Sequence, residues 1–240
     1  MIFPYTPYIA LLLSVLSLWI PCKGRISYWQ IFLFLGLCCG VLTHGITLWG
    51  AMVLVLVYLL VEKYQNSSST IKNILWGVLL LIGLILLMRL SPVALFYNLP
   101  VLTKIQFTPD AIPFSLSFHF EGVAIGVIII GLTLKVISTL EEWKQLLLQV
   151  FLRVPVMIVV LLALSLALGF VRWYPKNPQH LVLWMMSNLF FTCVAEEGFF
   201  RGFFQEFLTK TFPAHRVIGV VIPALFFGVI HYRGGPAYMF

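Results

Sequence analysis

Charge is what this sequence has least of. Lys, Arg, Asp and Glu make up 10% of its 240 residues, whereas a soluble domain carries about 25%. With 61% hydrophobic residues and a mean hydropathy of +1.04, that scarcity excludes an ordinary soluble domain and points to the polytopic helical membrane class. Cysteine is also scarce. Cys22, Cys38, Cys39 and Cys193 form no CxxC pair, and three of them sit in apolar segments. They read as small buried residues, with no disulfide framework and no redox compartment implied. There is no Lys/Arg run, no basic–aromatic groove pattern and no internal repeat. The net charge of +7 therefore implies no nucleic-acid partner; in a membrane protein Lys and Arg in loops set orientation.

What is present is a succession of apolar runs with short polar breaks. The opening MIFPYTPYIALLLSVLSLWIPC has the length of a signal peptide but lacks a basic n-region and an A-x-A site, so it reads as a first membrane helix. Spans are expected at about 5–22, 28–44, 46–62, 72–90, 120–138, 152–172, 180–208 and 216–232. The fold expected is all-α, a polytopic transmembrane bundle of about eight helices forming a single membrane domain over 1–240. Gly24, His44-Gly45, the NSSS tract at 66–69 and Pro175 to Pro178 mark breaks. Residues 91–119, with Pro92, Pro100, Pro109 and Pro113, form the longest connection and read as a surface or re-entrant piece. Placing the N-terminus outside puts Lys23, Arg25, Lys63, Lys72, Lys135, Lys144, Arg153, Arg201, Lys210 and Arg216 on the cytoplasmic side. Only Arg89, Lys104, Arg172, Lys176 and Arg233 then face outward, so the bias favours that orientation.

The segment HLVLWMMSNLFFTCVAEEGFFRGFFQEFL, 180–208, reads as one long helix. At 3.6 residues per turn, Asn188, Thr192 and Glu196 share one row, and Cys193, Glu197, Arg201 and Gln205 the next. That polar face is expected to look into a bundle interior. Glu197 and Arg201 form an i, i+4 pair in the favourable order and can neutralise each other. Glu196 lies about 100° around the helix, with no such partner within one turn. A carboxylate at mid-bilayer costs roughly 2.5–3.5 kcal/mol, so its retention suggests that it meets water, a metal or a proton. A partly wet apolar cavity would suit it to general-base work. A structural ion pair and a proton or ion relay are the competing readings of the same residues.

The next segment, RVIGVVIPALFFGVIHYRGGP, carries Pro223 as a kink, Phe227 and His231 at i, i+4, and Gly234-Gly235-Pro236 as a stop. Glu196 lies about 21 Å along its helix before Lys210, and His231 about 22 Å beyond Arg216. Two antiparallel neighbours joined by a short loop would place the two side chains at similar depth. Taken alone, His231 reads as an interfacial histidine next to Arg233; the matched depth makes it equally a site residue. His44, His119, His180 and His215 lie at helix ends or in loops and read as interfacial.

EExxxR at Glu196-Glu197…Arg201, followed about 30 residues later by FxxxH at Phe227…His231, resembles the CAAX prenyl protease and bacteriocin-processing (CPBP, or Abi) intramembrane proteases. The resemblance covers roughly 190–240, within a motif-bearing region of about 180–240. It implies peptide-bond hydrolysis inside the membrane, with Glu196 activating water and Glu197 and Arg201 holding the helix and orienting Glu196. His231 would either bind a divalent metal such as Zn2+ or stabilise the developing oxyanion. The contexts EEGFFRGFFQEFL and HYRGGPAYM look like bacterial members, which implies an integral protein of the bacterial inner membrane acting on leader peptides or membrane-protein tails. The partners implied are the lipid bilayer and a peptide or membrane-protein substrate.

The family has a further His-x-x-x-Asn/Asp motif on a later helix, whereas these residues end at AYMF, where another apolar run looks to begin. The expectation is a chain cut short of that motif. Two other functions remain open on the same residues: a catalytically inactive membrane scaffold or bacteriocin-immunity-type protein on the same fold, and a transporter using the Glu–Arg–His cluster as a relay. Transporters often show inverted repeats or paired broken helices, and neither is visible here.

Overall fold

The computed structural model describes residues 4–22, 24–67, 70–90, 95–107, 113–171, 173 and 179–231. The expected breaks at Pro175 to Pro178 and Gly234-Gly235-Pro236, and Ser68-Ser69 at the end of the NSSS tract, lie outside the described residues. The chain divides into two compact units, one of residues 1–136 and 180–226, the other of 137–179 and 227–240.

The first unit is built round one buried helix. Its helices are α1 (Thr6–Ser17), α2 (Tyr28–Leu42), α3 (Leu48–Gln65), α4 (Thr70–Leu90), α5 (Phe120–Thr133), a long segmented helix α7 (181–211) and most of α8 (Arg216–Ile230). FEGVAIGVIIIGLT, the sequence of α5, is apolar almost all round, and Phe120 and the whole run from Val123 to Ile129 are buried. A helix of that composition needs neighbours on every side. Here they are α1, α2, α3 and α7. The Ser14 hydroxyl, fully buried in α1, donates to the Trp29 carbonyl of α2 at 2.7 Å.

The connection at 91–119 corrects the all-α expectation. Leu99–Ile105 (β1) and Phe114–Phe118 (β2) pair antiparallel, with Leu99 opposite Phe118 and Ile105 opposite Phe114. The signal is legible in FSLSF, which alternates large apolar and small polar residues at the strand period. The four prolines of the connection mask it, yet Pro100 sits inside β1 with irregular register beside it, where a missing N–H is tolerated. The hairpin is anchored by ring stacking of Phe118 on Phe191 of α7, at 4.6 Å and 12°.

The second unit holds α6 (Leu140–Ala167), which starts twelve residues before the expected span at 152. The missed signal is a capping box. Thr139 Oγ1 accepts from the Glu142 backbone N–H at 3.2 Å, and Glu142 Oε2 accepts from the Thr139 N–H at 3.1 Å. The acidic pair Glu141 and Glu142 then lies in the first turn, where the helix dipole favours it. None of the 28 residues of α6 is buried, although its most apolar 18-residue window has a mean hydropathy of 2.5. By length and composition α3 and α6 are each able to cross a membrane.

Thr139→Ala removes one half of the α6 cap. Hydrogen exchange of the amides of residues 140–142 is expected to accelerate about fivefold, as loss of a cap worth about 1 kcal/mol dictates. Unchanged exchange there would mean that the cap does not hold the start of α6.

Candidate functional site

The expected long helix at 180–208 is present as α7, but its backbone is not uniformly α. It runs Leu181–Ser187 as α, Asn188–Thr192 as π, Cys193–Glu197 as α, Gly198–Gln205 as π and Glu206–Thr211 as α. Wide π turns are rare and tend to occur at functional sites. Here they bracket Glu196 and Glu197 on both sides. The first wide turn breaks the even 3.6-residue spacing that was to align Asn188 and Thr192 with Glu196.

The face of α7 that packs is also not the one expected. Phe199, Phe200, Phe203, Phe204, Phe207 and Leu208 are buried on the first unit. Their rings form a continuous cluster in which Phe203 stacks on Phe207 at 5.9 Å and Tyr64 of α3 meets Phe203 edge-on at 5.8 Å. The polar row is left open: Thr192, Cys193, Glu197 and Arg201 are exposed and Glu196 is half-buried. The carboxylates are therefore presented outward from this unit's core, not into it.

Glu197 and Arg201 are brought together as the sequence requires. Arg201 Nε lies 3.5 Å from Glu197 Oε2, and both side chains are 54% exposed. In water such a pair contributes only about 0.3–0.5 kcal/mol, so its role is charge neutralisation on an apolar helix and not stability. Farther on, Lys210 reaches Glu206 at 2.8 Å and stands 5.4 Å over the Tyr64 ring, tying down the C-terminal end of α7.

What fixes the height of the glutamates is a contact that side-chain patterning did not reveal. Alpha-carbon meets backbone where α5 crosses α7. A Cβ built at Gly126 would collide with the Val194 carbonyl, its carbon at 2.8 Å, and would lie 2.9 Å from the Ala195 Cα. A Cβ at Gly198 would lie 2.6 Å from the Gly126 Cα and 2.9 Å from its oxygen. Gly122 and Gly126 on α5, and Gly198 and Gly202 on α7, are each spaced i, i+4, the small-xxx-small pattern that lets helices approach to backbone contact. Farther along the crossing, Thr133 Oγ1 donates to the Gly202 carbonyl at 3.1 Å, inside the second π turn. Val194, Ala195 and Gly198 flank Glu196 and Glu197 directly, so the crossing clamps the acidic pair.

Phe227 and His231 belong to the second unit. Their rings lie 4.4 Å apart, and His231 Nδ1 is 2.7 Å from the Phe227 carbonyl oxygen. A carbonyl can only accept, so Nδ1 carries the hydrogen and the neutral ring presents a lone pair at Nε2. A histidine that ligates a metal commonly holds its other ring N–H on a backbone carbonyl in this way. Among the described residues no three His, Cys, Asp or Glu side chains gather as a metal-binding group. The remainder of the HYRGGPAYM context after His231 lies outside the described residues.

Residues 178–240 match the family model of type II CAAX prenyl endopeptidases, Rce1-like. This segment is similar to the Rce1-like endopeptidases. The match starts just ahead of α7 and takes in α8, so it bears out the CPBP resemblance read from EExxxR and FxxxH. Over residues 178–240 the likeness is thus to a family of peptidases, and the apolar helices go with an integral membrane protein. No curated protein and no solved structure matches the chain.

The crossing makes a sharp prediction. Gly126→Ala and Gly198→Ala force backbone apart and are expected to cost roughly 1–3 kcal/mol, the usual penalty of overpacking. Gly122→Ala, whose new Cβ would meet only the Ala195 Cβ at 3.6 Å, is expected to be close to neutral. Thermal unfolding of the three variants in detergent checks this; equal midpoints would show that the crossing does not hold α7.

Proposed function

We propose that the protein is an intramembrane endopeptidase of the CPBP type, in the bacterial inner membrane with its N-terminus outside, part of a polytopic bundle of about eight helices. Its substrate is a membrane-associated peptide, for which leader peptides and membrane-protein tails fit the bacterial context better than prenylated C-termini. The observation that carries the reading is the placement of Glu196: half-buried on the open face of an apolar helix, bracketed by π turns and clamped by the Gly126–Gly198 crossing.

Glu196 takes a proton from water as the oxygen attacks the scissile carbonyl carbon, and returns it to the departing amine nitrogen when the C–N bond breaks. Glu197 pairs with Arg201 at 3.5 Å, and the role of base is assigned to Glu196, the half-buried one of the two adjacent carboxylates. Arg201 thereby acts as a positioning residue. The FxxxH resemblance assigns His231 the electrophilic side of the reaction. Its Nε2 lone pair suits a divalent metal ligand such as Zn2+; donating to an oxyanion would instead require the doubly protonated ring. Catalytic zinc takes three protein ligands, and one histidine does not fill that set, so no step of the proposal runs through a metal.

Glu196→Gln is expected to lower turnover of a membrane-tethered reporter peptide by about 100-fold or more, the usual worth of a general base, with expression intact. Unchanged turnover would remove Glu196 from the chemistry. A wild-type protein that cleaves none of a panel of reporters is the result an inactive scaffold would give. Chelation separates the two roles of His231: loss of turnover restored by a divalent metal supports the ligand, and indifference to chelator supports the oxyanion role.

A further inference from the structure

One cavity of the first unit lies away from the carboxylates. It is a groove of about 440 Å³ between α2, α3 and α5, walled by side chains such as Trp29, Phe34, Leu37, Leu54, Ala124 and Ile128. Ala124 and Ile128 occupy the row of α5 two residues on from Gly122 and Gly126. At 100° per residue that is about 200° round the helix, so the groove and the α7 crossing lie on opposite faces of α5. A helix about 10 Å thick separates this cavity from Glu196.

Three features define what the groove would hold. Along α2 its wall runs from Trp29 to Leu37, about 12 Å at 1.5 Å per residue, with Ile26 just before the helix, so it fits within the roughly 15 Å hydrocarbon depth of one leaflet. Its wall is hydrocarbon except near one end. There Gln30 Nε2 donates to the Tyr58 hydroxyl at 2.8 Å, while Gln30 Oε1 accepts from the Ser27 N–H at 2.7 Å. The Tyr58 oxygen is thus an acceptor in that bond, which leaves its own O–H able to donate. Finally, the polar end carries cations. Arg25 precedes the groove residue Ile26 and is exposed, and Lys63 lies in the last turn of α3 beyond Tyr58, with Glu62 beside it.

We propose that this groove is a binding site for one acyl chain of an anionic glycerophospholipid, with the ester carbonyl on the Tyr58 hydroxyl and the phosphate near Arg25 and Lys63. The ester distinguishes this occupant from a prenyl thioether, which offers Tyr58 no comparable acceptor. The positive end favours an anionic headgroup over a zwitterionic one, each basic side chain near the membrane surface contributing about 1 kcal/mol. The site rests on the membrane reading of the chain and not on the peptidase reading.

The test is retention of lipid by the full-length protein, read by native mass spectrometry after extraction from nanodiscs containing equal phosphatidylglycerol and phosphatidylcholine. Wild type is expected to keep one phosphatidylglycerol in preference to phosphatidylcholine. Tyr58→Phe is expected to weaken retention about fivefold, the worth of one net hydrogen bond. Arg25→Gln with Lys63→Gln is expected to erase the headgroup preference, and Val55→Trp, at an exposed wall position, to empty the groove. Should Val55→Trp not fold, the other two variants carry the test. Retention unaltered in all the folded variants overturns the site, and displacement of the lipid by a farnesylated peptide overturns the choice of occupant. Reporter cleavage by the same variants is expected to stay at the wild-type level, so a wild-type protein without peptidase activity would count against the proposed function and leave the lipid result standing.

Discussion

The first unit depends on how closely two helices can approach. Most membrane helices meet through side chains, at interaxial distances of 8–10 Å. At Gly126 and Gly198 there is no side chain on either partner, and carbonyl and alpha-carbon atoms fill the gap. Apolar side chains gain little by leaving lipid for protein, so dense packing and buried hydrogen bonds must supply the association. The glycine crossing and the Thr133 to Gly202 bond are contacts of those two kinds, placed on the turns that bracket Glu196 and Glu197. A carboxylate held by backbone contact is positioned with less slack than one held by long side chains. That is what general-base chemistry asks of its base.

The π turns belong to the same constraint. Phe199, Phe200, Phe203, Phe204 and Phe207 all bury on the first unit, yet they do not fall on one narrow stripe of a regular α-helix. Widening the turn over Gly198–Gln205 lets more of these rings reach the core. The same adjustment leaves Glu197 and Arg201 paired and open on the other side. Aromatic packing and the polar row are thus satisfied together by a backbone form that regular helical spacing does not describe.

This explains what the sequence could and could not convey. The helices at 28–42, 48–65, 70–90, 120–133 and 181–211 were legible because their apolar runs are long and bounded by recognisable breaks. The Glu197–Arg201 pair was legible because i, i+4 survives local widening. The direction of the polar face was not, because it depends on which side of α7 meets α5, and that is decided by glycines whose contribution is the absence of a side chain. The hairpin at 99–118 was masked by prolines, and the first three turns of α6 by charged residues that serve as a cap and not as a loop. Both signals were present, as an alternating FSLSF and a Thr139-x-x-Glu142 box, and both are short-range patterns that a search for long apolar runs passes over.

Alpha-helix α5 then has two working faces. One, through Gly122 and Gly126, is stripped of side chains so that α7 can touch its backbone. The other, through Ala124 and Ile128, is small and apolar and forms the floor of a groove with a polar, cationic end. Two residues along the sequence turn α5 by about 200°, so one largely buried helix serves both contacts without a side chain common to them. The backbone contact that sets the level of the glutamates is therefore independent of what occupies the groove.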